Sequence, residues 1–162
     1  MNWTSIGAMP KAADVAASPG LRSSALSDDL SFLLARANAI ALAAGNAALS
    51  EHGLKARSYS VLVLTSGDAR PSQRELAEFL RLDPSQVVSL VDELQARRLV
   101  ERQPDPADRR ANVVVATEAG RALAGAARES ARVAEERVHA DLSETERATL
   151  ATLLRTLAFP GE

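Results

Sequence analysis

The sequence predicts a mainly α-helical chain in which a winged helix-turn-helix is set into a helical dimerisation region. Two separately capped helices follow one another almost without a break from Ser72 through Leu94, and a charged turn between two β-prone runs comes next. Stretches at both ends carry wide apolar faces at helical spacing.

In the first capped helix, Ser72 stands three residues before Glu75, the spacing of a capping box that satisfies two orphan N–H groups reciprocally. Pro71 lies just outside, and Leu76, Ala77 and Leu80 form the apolar stripe. Leu80-Arg81-Leu82-Asp83 leaves no room for a structured loop. Asp83 is the expected N-cap of the second helix, Pro84 takes the first helical position, and Gln86 is placed to reach back to the cap. Val87, Val88, Leu90, Val91 and Leu94 are assigned to the inner face. Ser85, Gln86 and Ser89 then lie on the outer side of the first two turns. An α-helix fits the major groove of duplex DNA, where glutamine pairs with adenine and serine with several bases. Each of these side chains alone reads equally well as a solvated surface position; the DNA reading rests on their combination.

Leu99–Arg102 and Asn112–Val115 are the β-prone runs, and the Pro- and Asp-rich segment between them makes a hairpin. Its tip carries Arg109 and Arg110, which suit the negative potential of a narrow minor groove. Asp108, of the wrong sign for DNA, is read as a brace that orients one arginine. A solvated turn is the plain alternative for such a pair.

From about residue 30 to 157 the chain resembles the MarR family of bacterial transcriptional regulators, through SQRELAEFL, LDPSQVVSLVDEL, RLVERQPDPADRRANVVV and ATEAG. The Asp108-x-Arg110 signature before a strand and a Thr-capped helix is the most specific piece. The resemblance implies a DNA-binding homodimer whose affinity is relieved by a small ligand, with an aromatic or phenolic compound as the expected effector. It also implies that Ser72 and Gln73 touch phosphates, that Arg102 holds DNA backbone near the wing, and that Arg110 enters the minor groove. Three positions depart from the family pattern: Glu93 replaces a frequent arginine, Arg98 a helix-ending glycine, and Ala116 a leucine. An Arg98 in left-handed conformation would cost about 1 kcal/mol, so a different helix end is expected.

The 162 residues are 46% hydrophobic with a net charge of −2, which fits one core of ordinary size and leaves DNA affinity to local charge. With no cysteine, thiol sensing, disulfides and Cys-ligated zinc are excluded. The longest apolar runs are shorter than a membrane span and no basic segment precedes an apolar N-terminal core, so a cytoplasmic protein without membrane contact is expected.

Residues 1–25, which include the lone Trp3, read as a flexible arm, and 26–158 as a single domain with the winged helix-turn-helix at 55–116. Helices at 27–50 and 117–158 form the dimerisation region. In the first, Leu30, Leu33, Leu34, Ala37, Ile40 and Ala41 share a face. A further helix through Tyr59–Leu64 is apolar all round and is expected to be buried. Thr117 caps a helix to about His139, and Ser143 with Glu146 makes a third capping box before Leu150, Leu153, Leu154 and Leu157, which face inward. These end helices have more apolar surface than the reading head covers, so a second copy is expected on them.

No nucleophile with a base, carboxylate pair, phosphate loop or metal cluster is present, and no enzymatic activity, cofactor or metal is expected. His52 and His139 read as ordinary surface histidines rather than ligands. The expected function is a DNA-binding regulator, a repressor on a palindromic operator; the alternative is a winged-helix protein-interaction module without direct DNA readout. Tyr59, joining base to head, is the candidate wall of an effector site, its other role being core packing.

Overall fold

In the computed structural model, residues 19–105, 108 and 110–161 are described. Trp3 and Arg109 lie outside them. The chain divides into two compact units, residues 1–40 and 41–162, so the boundary falls inside the first long helix.

In the first unit, part of the expected flexible arm is ordered. Helix α1 spans Pro19–Arg22 and a 3₁₀ turn spans Ala25–Asp28. Serine hydroxyls hold these turns locally: Ser24 donates to the Leu21 carbonyl at 2.9 Å and Ser27 to the Arg22 carbonyl at 2.5 Å. Asp29 then caps α2, Leu30–Leu49, accepting from the Phe32 N–H at 2.7 Å. Leu49 is the one residue of α2 that the chain buries, and Leu30, 66% exposed, typifies the rest. By length and composition alone the 23 residues Leu30–His52 are apolar enough to cross a membrane, a property that core helices of soluble proteins share. The reason is that alanines interleave Arg36, Asn38 and Asn46 and keep the average apolar although every uninterrupted run is short.

In the second unit, a 3₁₀ turn at Ser50–His52 ends on Gly53, left-handed at φ 63°. Helix α3, Ala56–Ser66, packs on the elements that follow it. The expectation that α3 is buried all round is corrected: Val61 and Leu62 are wholly buried, whereas Val63 is 39% exposed, because the partners cover one side only. Buried Thr65 gives its hydroxyl proton back to the Val61 carbonyl (3.0 Å), so α3 carries no unpaired hydroxyl there.

Helix α4, Gln73–Leu80, starts with the expected capping box: Ser72 Oγ accepts from the Glu75 N–H (3.2 Å), and Glu75 Oε2 accepts from the Ser72 N–H (2.7 Å). It ends on Arg81 in left-handed conformation, with the Leu82 N–H bonded to the Ala77 carbonyl, which turns the chain at once into α5, Pro84–Ala96. The wing is an antiparallel pair, β1 Val100–Pro104 and β2 Asn112–Ala116, with Val100 opposite Ala116 and Pro104 opposite Asn112. A bridge from Ser72 to Val113, and the Val114 N–H bonded to the Pro71 carbonyl at 2.8 Å, fasten the wing to the start of α4.

Helix α6, Glu118–Val138, is capped by Thr117 Oγ1, which accepts from the Gly120 N–H (3.1 Å) and donates to the Arg98 carbonyl (2.8 Å). Helix α7, Glu144–Ala158, opens with the Ser143–Glu146 box and has no buried residue. The inward leucines are a correction at the level of one chain: Leu153 and Leu157 are 59% and 60% exposed, since little among the described residues covers that face. The core proper lies under α4, α5 and the wing, with Leu62, Leu76, Val87, Val91, Leu94, Val100 and Val114 at its centre.

The end of α5 keeps the left-handed residue that the sequence argued against. Arg98 sits at φ 59°, its N–H bonded to the Gln95 carbonyl at 2.8 Å, with Leu99 N–H on the Leu94 carbonyl at 2.9 Å. The turn is imposed by the burial of Leu99 and Val100 on the far side. Arg98→Gly is therefore expected to raise stability by about 0.5 kcal/mol, the relief of left-handed strain less the extra freedom of the unfolded chain. Urea unfolding should show a higher midpoint at unchanged slope.

Candidate nucleic-acid interface

The outer face of α5 is set by its cap and its buried side. Asp83 Oδ1 accepts from the Ser85 N–H (2.8 Å) and from the Ser85 hydroxyl, so the carboxylate of the cap holds Ser85, while Gln86 meets Asp83 through its backbone N–H on the Asp83 carbonyl at 3.0 Å. Ser89 donates its hydroxyl proton to the Ser85 carbonyl at 3.0 Å. Both serine protons are thus used within the helix, and lone pairs are what these hydroxyls offer outward. Gln86 is exposed and offers both a donor and an acceptor. Val88, assigned to the inner face by periodicity, is 41% exposed and shares the outer side with Ser85 and Ser89. With Val87 and Val91 fully buried, one of two adjacent valines has to point out.

Ser72 and Gln73 are half-buried at the start of α4, with the Ser72 hydroxyl held in its box by Glu75 Oε2 at 2.7 Å. Arg102, also half-buried, projects from β1 and is brought against three side chains. Its Nε donates to Gln73 Oε1 (2.6 Å), Nη1 to Gln95 Oε1 (2.9 Å) and Nη2 to Asp92 Oδ1 (2.6 Å). Gln95 was not singled out in the sequence; its i, i+3 spacing from Asp92 on one side of α5 is the signal that could have found it. Glu93 is exposed, with Arg97 4.0 Å away along the helix.

On the wing, Asp108 and Arg110 are exposed. Asp108 Oδ1 accepts the backbone N–H of Arg110 at 2.9 Å, and the Asp108 carbonyl accepts the Ala111 N–H at 2.9 Å, so this carboxylate fixes the backbone of the turn. Below the wing, Arg70 reaches Gln103 Oε1 at 2.6 Å. The structure does not bring Tyr59 into this surface. Tyr59 is half-buried and lines a separate crevice of about 180 Å³ with Gly45, Ser60, Ala131, Glu135 and His139. A larger groove of about 790 Å³ runs between α4 and the end of α7, where the rings of Phe79 and Phe159 meet at 5.9 Å. Among the described residues no group of three metal-ligating side chains converges.

The capping carboxylates are held below their ordinary range. For Glu75 the main cause is the bond from the Ser72 N–H, then its hydroxyl; for Asp83 and Glu146 it is the serine hydroxyl, then the serine N–H. A depressed folded-state value contributes stability above the unfolded value, and this contribution is lost as pH falls through the folded one. Thermal midpoints should accordingly be flat above about pH 5 and decline below about pH 4. A Glu75→Gln, Asp83→Asn, Glu146→Gln variant should show a shallower decline in the same calorimetric series.

A tight helix-turn-helix with a bare second helix, flanked by a hairpin that the first helix anchors, defines a winged helix-turn-helix regulator. Residues 52–111 match the family model described as MarR family. A MarR-family transcriptional regulator from a Rhodococcus species is 43% identical with a TM-score of 0.78, covering 85% of this chain and 99% of that one. CouR from Rhodococcus jostii, solved bound to p-coumaroyl-CoA, is 45% identical with a TM-score of 0.77, over 86% of this chain and 99% of its own. The HTH-type transcriptional repressor NicR of Pseudomonas putida is 38% identical over 91 residues. That match takes in 56% of this chain and spans 58% of the repressor's length. The chain belongs to the MarR family of transcriptional regulators. Such proteins are not enzymes, in line with the expectation from the sequence.

Proposed function

We propose that the chain is a cytoplasmic repressor that binds a near-palindromic DNA operator as a homodimer and is released by a small aromatic effector. The observation that carries this reading is the outer face of α5. Ser85, Gln86, Val88 and Ser89 form a small polar surface with one apolar member, the size and chemistry that enter a major groove. Gln86 pairs with adenine, Val88 meets a thymine methyl, and the serines accept from amino groups of bases. Arg110, with Arg109 beside it in sequence, grips the minor groove. Ser72 and Gln73 at the start of α4 approach the phosphates.

Dimerisation supplies the second head through the uncovered faces of α2 and α7. Two recognition helices about 34 Å apart then meet successive turns of one face of the duplex. The crevice at Tyr59 is the proposed effector site. Its volume suits a single aromatic ring, and the p-coumaroyl-CoA held by CouR and the repressor activity in NicR's name agree in kind with an aromatic-responsive repressor.

The test is retardation of duplexes enriched on the protein from a randomised pool. Arg110→Ala should weaken binding by about ten-fold or more, in keeping with about 1–3 kcal/mol for a specific contact, and leave the oligomeric state unchanged. Enrichment of no sequence, or a variant that binds as tightly as the parent, would contradict the reading and favour a winged-helix module that engages protein.

A further inference from the structure

We propose that Arg102 acts as a positioning residue: its guanidinium, held by Asp92 and Gln95, fixes the carboxamide of Gln73 with its NH₂ group turned outward as the phosphate donor. This inference rests on the DNA-binding reading above. A guanidinium has donors and no acceptor, so the Gln73 atom 2.6 Å from Nε has to be the carbonyl oxygen, and the amide nitrogen is directed the other way. The same logic sets Gln95, 2.9 Å from Nη1. Asp92, at 2.6 Å from Nη2, supplies the opposing charge.

Every nitrogen of the fork therefore already faces a protein acceptor. A two-pronged grip on a phosphate needs two parallel N–H groups of one guanidinium. Three of the five N–H groups of Arg102 are taken by these partners and its side chain is only 25% exposed, which leaves little of the guanidinium to a phosphate. The three acceptors come from α4 and α5 while the arginine comes from β1, so one side chain fixes the relation among both helices and the wing. Asp92 then has a purpose on a surface that approaches DNA, where a carboxylate alone would repel.

The sign of one substitution separates this from a direct charge contact. Asp92→Ala removes a negative charge from the DNA-facing side, so an electrostatic account expects tighter binding, whereas loss of positioning expects affinity several-fold weaker at every salt concentration. Asp92 is 59% exposed in its side chain, so the variant should fold. Arg102→Gln and Gln73→Ala should each weaken binding of the pool-selected duplex by about ten-fold, the double variant no more than either, with the salt slope unchanged. A slope lower by about 0.9 in Arg102→Gln would mean that Arg102 itself neutralises a phosphate. That result, tighter binding by Asp92→Ala, or independent effects multiplying to about a hundred-fold would overturn the inference.

In the DNA-free protein, the side-chain amide resonances of Gln73 should shift in Asp92→Ala, and unchanged resonances would equally overturn it. If the parent chain selects no duplex, the DNA-binding reading fails on its own, and the amide resonances still decide whether the clamp exists.

Discussion

Gly120→Ala is expected to destabilise the protein by about 3 kcal/mol or more, at the upper end for overpacking, and to lower the thermal midpoint by on the order of 10 °C. A Cβ built on Gly120 would lie 1.9 Å from the Leu99 carbonyl oxygen and 3.2 Å from Leu62 Cδ1. The first of these atoms is backbone and cannot swing aside. That carbonyl also accepts the Thr117 N–H at 3.0 Å, while Thr117 holds the Arg98 carbonyl and caps α6. One methyl group therefore pushes apart the end of the recognition helix, the root of the wing and the start of α6. Gly125→Ala supplies the opposite sign on the same helix, because nothing lies within 4 Å of its added Cβ. It should be neutral or stabilising by up to about 1 kcal/mol through helix propensity. Differential scanning calorimetry of the two variants tests both signs, and a Gly120→Ala protein as stable as its parent would contradict the packing described.

How far each feature could be read from sequence follows from how local its cause is. The caps at Ser72, Asp83, Thr117 and Ser143 are set by residues within a turn of one another, and the helices start where these predict. Which N–H the Asp83 carboxylate takes was not legible, since the second and third residues after a cap both serve and only side-chain geometry selects Ser85. Val88 was misassigned because Val87, Val88, Leu90 and Val91 form a run that fits more than one helical face. Tertiary packing decided it. Arg102 shows the same limit more sharply: a role at the phosphates came by resemblance, whereas its contacts join residues 7, 10 and 29 positions away. Nothing in the local sequence connects them. Nothing in the local sequence marks Gly120 as obligatory, because the atom that demands a glycine there is a carbonyl 21 residues earlier in the chain.

Leu153→Glu with Leu157→Glu is expected to leave a folded monomer and to abolish operator binding at micromolar protein. Both side chains are largely exposed in the single chain, and α7 buries none of its residues there, so the substitutions remove little of the chain's own packing. Helical circular dichroism and the melting of the reading head should be preserved. Against a second copy the effect is large. Burying one leucine contributes about 1.5–3 kcal/mol, so two lost from each subunit weaken association by several orders of magnitude even before the carboxylates are desolvated. A monomer presents one outer face of α5 and one wing, and the half-site contacts are no longer joined at the spacing of a helical turn. Affinity for the pool-selected duplex should fall at least a hundred-fold, and the residual binding should follow a single half-site. Sedimentation at micromolar concentration checks the first step. A variant that still sediments as a dimer would place the interface elsewhere than α7, and a monomer with undiminished affinity would remove the need for two heads.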